Sequence, residues 1–219
     1  MTSPDPEYVV KKQRIDTLKK KALANQLTSH DASQPDLSQP AKPARLVYFD
    51  STDLHWLPDE GQAYCPKGEQ VSVETAGDQN PWVALFGSLC FPYGEGLYTI
   101  HQRKRHQEVE AHLQMLIEMH PDTFLLVIMD NASAHTTSSL DAFWERNKAH
   151  IEPVFLPTYS PHLNLIERLW HFMRGQMTRN QFYVSLKEQC RVIADWFESL
   201  PFSRFCSLLG LDESACQLS

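Results

Sequence analysis

The chain has 219 residues, of which 42% are hydrophobic, and a formal net charge of −7, which suits one substantial core with appendages and argues against two full domains. Five cysteines with no Cys-x-x-Cys spacing argue against a disulfide framework and against a structural zinc site, and fit a reducing cytoplasm. Neither a membrane span nor a signal peptide is expected, because no run of some eighteen apolar residues and no basic-then-apolar leader occurs.

The charge divides unevenly. Residues 1–45 carry eight Lys/Arg against five Asp/Glu, or +3, and residues 46–219 carry twelve against twenty-two, or −10. Net charge therefore does not draw the main body to a polyanion, and any DNA binding must come from local patches, from metal or from a further polypeptide. In chain order, Ile15, Leu18, Ala22 and Leu23 stand at helical spacing among lysines in residues 8–27 and predict a helix. Residues 28–44, rich in Ser, Pro, Asp and Gln, read as a flexible linker, with the folded domain starting near Arg45.

Leu46-Val-Tyr-Phe-Asp50 is an apolar run ending in an acid and predicts a first strand. A loop over residues 51–69 follows, and Gln70–Thr75 alternates like an exposed strand. Residues 81–90 and 96–101 flank Phe-Pro-Tyr-Gly-Glu and predict an antiparallel hairpin. His101-Gln-Arg-Lys-Arg-His106 is a basic cluster whose Arg103, Lys104 and Arg105 are candidates to touch phosphates, or a solvated turn. Val109, Leu113, Leu116 and Ile117 mark a helix that ends before Pro121.

Phe124–Met129 is a continuous apolar run, read as a buried central strand that delivers Asp130 to the end of a sheet. A helix capped by Thr137 or Ser138 and a short strand at Ile151–Phe155 come next. Asn164 is expected to cap a helix that buries Ile166, Leu169, Trp170 and Met173, with Glu167 beside that stripe. A last amphipathic helix is predicted over residues 185–199, and the five tryptophans read as core or dimer contacts. Antiparallel strands first and strand-helix alternation after indicate an α/β mixed sheet flanked by helices.

Taken singly, Asp50 and Asp130 can be turn formers, and Glu167 can complete a capping box. Taken together, two strands ending in Asp and one helix-start Glu can converge if the strands are neighbours. Three carboxylates at one point repel one another, and a divalent cation such as Mg²⁺ relieves that repulsion. A Ser133, His135 and Asp130 triad has no Gly-x-Ser-x-Gly elbow to support it.

The segments Val47–Asp50, Ile128–His135 and Leu156–Trp170 resemble the DDE motifs of bacterial insertion-sequence transposases related to the mariner superfamily, with 36 residues between Asp130 and Glu167. Tyr64-Cys-Pro66-Lys67-Gly68 resembles a Trp-x-Pro-x-Gly element of those enzymes. The resemblance implies a ribonuclease H-like fold, a metal-binding catalytic triad of Asp50, Asp130 and Glu167, Mg²⁺ as cofactor with Mn²⁺ able to replace it, and cut-and-paste DNA transposition. Asn131, His135 and Asn164 are candidates to brace the site or contact DNA. The implied partners are DNA, a second copy of the chain as a homodimer, and an upstream DNA-binding polypeptide, in a cytoplasmic, nucleoid-associated setting. Two positions depart from the family pattern: Ser51 stands where Glu usually follows the first acid, and Leu165 stands where Pro usually precedes Ile-Glu.

The expected organisation is residues 1–45 as a helix and linker left from a helix-turn-helix region, 46–200 as the catalytic domain and 201–219 as a tail. The leading functional reading is a transposase catalytic domain that is truncated or half of a split enzyme. The alternative is a non-catalytic remnant that regulates by binding DNA or a full-length transposase. A third is a nuclease that only hydrolyses.

Overall fold

The computed structural model describes residues 5–61, 66–67, 72–73 and 79–212. Five strands form one mixed sheet: β1 (Ala44–His55), β2 (Trp82–Phe91), β3 (Glu95–His101), β4 (Phe124–Met129) and β5 (Ile151–Phe155), in the order β3-β2-β1-β4-β5. The two hairpin-type neighbours pair antiparallel, β1 with β2 and β2 with β3, and β4 and β5 extend the sheet in parallel. Parallel neighbours need a crossover, and the intervening helices supply it.

The sheet is covered on both sides, and the alternation along β1 decides which side each residue serves. Leu46 and Tyr48 share one core with Ile15, Leu18 and Ala22 of α1 (Tyr8–Leu23). The same core takes Ile166, Leu169, Trp170 and Met173 of α5 (Ile166–Met173), Ile193 and Phe197 of α6 (Leu186–Ser199), and Cys206 and Leu209 of α7 (Phe202–Leu209). Val47 and Phe49 face the other core, built with Val109, Leu113, Leu116 and Ile117 of α2 (His106–Met119) and with Leu140 and Phe143, the latter on α4 (Asp141–Asn147). The short α3 (Ser133–Thr136) lies between β4 and α4. Burying both faces explains why β4 is apolar at every position.

The hairpin, the two central strands and the helices over residues 106–119 and 186–199 form as expected. β1 is longer than its apolar core suggests, because it continues pairing with β2 through His55↔Trp82 after its contact with β4 has ended. Residues 28–43 run without regular strands or long helices, tied by a Thr28↔Pro43 bridge and by hydrogen bonds from Ser33 to Glu152 of β5. Within the expected tail, α7 packs on the core, since Cys206 and Leu209 sit three residues apart on one helix face. The strand expected over Gln70–Thr75 and the Tyr64–Gly68 element lie mostly outside the described residues. Cys90 and Cys190 are free thiols, whereas Cys206 is disulfide-bonded, which corrects the expectation of wholly reduced cysteines. Linear spacing carries no information about which thiols the fold brings together.

Candidate active site

β1 and β4 pair in register, with Val47 opposite Val127 and Tyr48 opposite Ile128. Continuing that register sets Asp50 level with Asp130 on two adjacent central strands: Asp130 follows the last residue of β4, and Asp50 lies within β1 where it has parted from β4 and runs on beside β2 alone. Asn164 brings the third segment there: its Nδ2 donates to the Phe49 carbonyl at 3.1 Å, just before Asp50. This corrects the expected capping role of Asn164. Leu165 occupies the N-cap position of α5, and Asn164 contributes only its backbone carbonyl to the Glu167 amide, at 3.2 Å. Its side chain is buried and used to hold two segments together.

Glu167 sits in the first turn of α5, on the exposed side, where the helix dipole favours an acid. Trp170, three residues later, turns its indole inward and donates from Nε1 to Asp50 Oδ2 at 3.2 Å. It can come so close because β2 carries Gly87 directly opposite Asp50. A Cβ at position 87 would stand 2.4 Å from the ring edge of Trp170. Trp170 was read from sequence as a core residue, and its role at Asp50 was missed. The available signal was its i+3 spacing from Glu167, which sets both on neighbouring sides of one helix.

The three carboxyls have different electrostatic surroundings. Burial, reinforced by the charges of Glu167 and Asp130, pushes Asp50 up to about 7, against the lowering effect of a Ser51 backbone hydrogen bond. Glu167 is also raised, by burial and then by Asp130. Asp130 goes the other way: the hydrogen bond from His135 holds it below the usual carboxylate range, with the Ala132 amide assisting. His135 Nδ1 lies 2.6 Å from Asp130 Oδ1, and the Ala132 amide donates to the same oxygen at 3.0 Å. Both bonds fall on Oδ1.

His135 is buried against Phe49, with ring centroids 5.2 Å apart, so it belongs to the framework of the site and not to its exposed rim. Asn131 donates to the Leu156 carbonyl at 2.7 Å and fixes the β4 end to the β5 end. Of the basic cluster, Lys104 pairs with Asp53 at 3.0 Å and donates to the Ser51 carbonyl, which sets a cation beside the end of β1. Arg105 is occupied with Glu108 at the start of α2, and Arg103 is exposed. Arg174, not singled out from sequence, spans Asp59, Thr52 and the Asp53 carbonyl, and its charge acts on Glu167.

The donor set of this site is all oxygen, and two of its three acids are pushed toward protonation when no cation is near. That is the chemistry of a divalent-cation site with hard ligands. The carboxylate oxygens do not all lie within 4.8 Å of one another, in contrast to a separate Cys90, Glu95 and His120 group that does.

Residues 45–190 match the family model described as DDE superfamily endonuclease. A protein of insertion element IS630 from Shigella sonnei, described as an uncharacterized 39 kDa protein, is 26% identical over 163 residues, covering 72% of this chain and 46% of that one. The y4pE/y4sA protein of Sinorhizobium fredii (strain NBRC 101917 / NGR234) is 28% identical over 103 residues, 47% of this chain and 73% of its own length. Among solved structures, the catalytic domain of Mos1 mariner transposase aligns over 96% of this chain and 90% of its own, with TM-score 0.62 and 13% identity. The Mos1 paired-end complex with Mg aligns with TM-score 0.64 and 15% identity over all of this chain and 65% of its own. The chain thus spans about half the length of the IS630 protein. With this match over two-thirds of its residues, the chain belongs to the DDE superfamily of endonucleases, and its sheet is a ribonuclease H-like scaffold.

Proposed function

We propose that this chain cleaves DNA at the ends of a mobile element and joins them to a target, as in cut-and-paste transposition, with Asp50, Asp130 and Glu167 as its metal ligands. The observation that carries this reading is the level placement of Asp50 and Asp130 on adjacent strands, with Asn164 tying the Glu167 helix start to Phe49. Divalent ions bound there, Mg²⁺ or Mn²⁺, supply activation of the attacking water or hydroxyl and stabilisation of the leaving oxygen. The chain's own residues set the geometry. His135 and the Ala132 amide keep Asp130 ionised and oriented through Oδ1. Trp170 orients Asp50 through its bond to Oδ2. Lys104 and Arg174 offer positive charge at the rim, where a phosphate backbone would pass.

End recognition is assigned to an upstream DNA-binding polypeptide, with residues 1–45 as the connection, residues 46–200 as the catalytic part and a second copy completing a dimer on paired ends. The −10 balance of residues 46–219 supports this division, because few cations remain to neutralise phosphates. The test uses the purified chain with a labelled duplex bearing the element's terminal repeat and a supercoiled target. Mg²⁺-dependent nicking together with strand joining, both lost in Asp130→Asn, is the expected result. Nicking without joining would point to a nuclease that only hydrolyses. DNA binding without any cleavage in Mg²⁺ or Mn²⁺ would reduce the chain to a regulator.

A further inference from the structure

A second group of ligand-type side chains lies away from the acids. Cys90 is the last residue but one of β2, and Glu95 opens β3 directly opposite it in the antiparallel register. His120 follows the last turn of α2, and its backbone amide donates to the Ile117 carbonyl there. Cys90 and His120 are buried, and Glu95 keeps 28% of its side chain exposed. Cys90 stands three positions along β2 from Gly87, the partner of Asp50, so the group is about 10 Å further along the sheet than the acids.

Cys90 and His120 are within the longer hydrogen-bonding reach of sulfur, and Glu95 stands further off. Cys90 Sγ is 3.7 Å from His120 Nε2, and that nitrogen is 4.0 Å from Glu95 Oε2. All three ligand atoms nevertheless lie within 4.8 Å of one another. A tetrahedral zinc with Zn–S near 2.3 Å and Zn–N or Zn–O near 2.0–2.1 Å holds its ligands roughly 3.4–3.6 Å apart. The Cys90–His120 and His120–Glu95 separations are wider than this by about 0.2 and 0.6 Å, within reach of side-chain adjustment. Arg45 pairs with Glu95 Oε2, the oxygen that faces His120, also bonds the Cys90 side chain, and lies 4.3 Å from the Tyr93 ring centroid, so a guanidinium already neutralises the carboxylate beside the group.

We propose that Cys90, Glu95 and His120 form a zinc site that clips the β2–β3 turn to the end of α2, with Cys90 Sγ, His120 Nε2 and a Glu95 oxygen as ligands and water in the fourth position. The thiolate and carboxylate charges balance Zn²⁺, and binding requires the Arg45 guanidinium to give up Glu95 Oε2 to the metal or the carboxylate to turn its other oxygen inward. Binding displaces the thiol proton to solvent as the S–Zn bond forms. The absence of Cys-x-x-Cys spacing does not bear on this group, whose ligands come from three separate elements and meet only in the fold.

Cobalt distinguishes this group from the carboxylate site, because only a thiolate ligand gives an intense near-ultraviolet charge-transfer band. The full chain, reduced and metal-free, is titrated with Co²⁺ and then with Zn²⁺. The expected result is a band that saturates at one equivalent, is displaced by Zn²⁺ and persists in Asp130→Asn. The band should be lost in Cys90→Ser, and His120→Gln should bind at least tenfold more weakly, with circular dichroism confirming that each variant is folded. If Cys90→Ser does not fold, His120→Gln and Glu95→Gln carry the test. No band in the wild-type chain, a band that survives in folded Cys90→Ser, or affinity unchanged in His120→Gln would overturn the proposal.

Discussion

Trp170 donates its indole N–H to Asp50 across 3.2 Å, and Gly87 on the strand beside Asp50 is what lets the ring in. Gly87→Ala is expected to destabilise the protein by about 1–3 kcal/mol, because the added methyl overlaps the indole and the packed core gives way only partly. Trp170→Phe keeps most of the apolar contact and removes the hydrogen bond to a carboxyl, worth about 1.5–3 kcal/mol when the acceptor is charged. Urea midpoints check both. In Mg²⁺-dependent cleavage, the two variants should fall together, since each releases Asp50 from the same donor.

Charge removal is expected to act oppositely at the two aspartates. Burial and two like charges penalise ionised Asp50, so Asp50→Asn should hold or raise the melting temperature in excess chelator. Asp130 is stabilised as a carboxylate by His135 and the Ala132 amide, so Asp130→Asn should lower it. Both variants should lose cleavage on the order of 10²-fold or more. Thermal scans with chelator and with Mg²⁺, run beside the cleavage assay, separate the two effects. A rise at Asp130 with a fall at Asp50 would contradict this assignment of the strain.

His135 fills a buried position under Phe49 and orients Asp130. His135→Ala is expected to cost about 2–4 kcal/mol, from the lost packing and the lost bond to the carboxylate. His135→Gln keeps a donor in reach and should recover part of both stability and cleavage. Equal cleavage by the alanine variant and the wild type would remove His135 from the site's support.

The amino-terminal helix is anchored near the site through Asp5. Its Oδ2 accepts from the Thr158 amide at 2.9 Å and from Lys11 at 3.0 Å, and Oδ1 accepts from the Glu7 amide at 2.8 Å. These bonds, the Thr158 amide foremost, lower Asp5 to about 2. An ordinary aspartate titrates near 3.9. Since the folded value lies below the unfolded one, the contribution is fully present above about pH 4 and is lost as pH falls toward 2. Asp5→Asn should therefore melt lower than the wild type at pH 7, and the difference should close over that acid window. A constant difference from pH 7 to pH 2 would show that charge at Asp5 is not the cause.

The identity of the central strands, the hairpin and the long helices was legible in the sequence, because each has an apolar period that only one kind of element can bury. Asp50, Asp130 and Glu167 could be singled out because each ends or flanks an apolar run. What the linear order did not contain was the pairing of β1 beside β4, which brings Asp50 and Asp130 to one end of the sheet. Nor did it contain the use of Asn164 as a tie to Phe49, since an Asn before a helix serves equally well as a cap. The contact of Trp170 with Asp50 depends on Gly87, 83 positions away in the chain, and the group of Cys90, Glu95 and His120 depends on a turn meeting a helix end. Local propensity acts over a few residues, whereas these relationships are decided by which buried faces fit against each other, and that is settled only when the sheet and its two helical layers are packed.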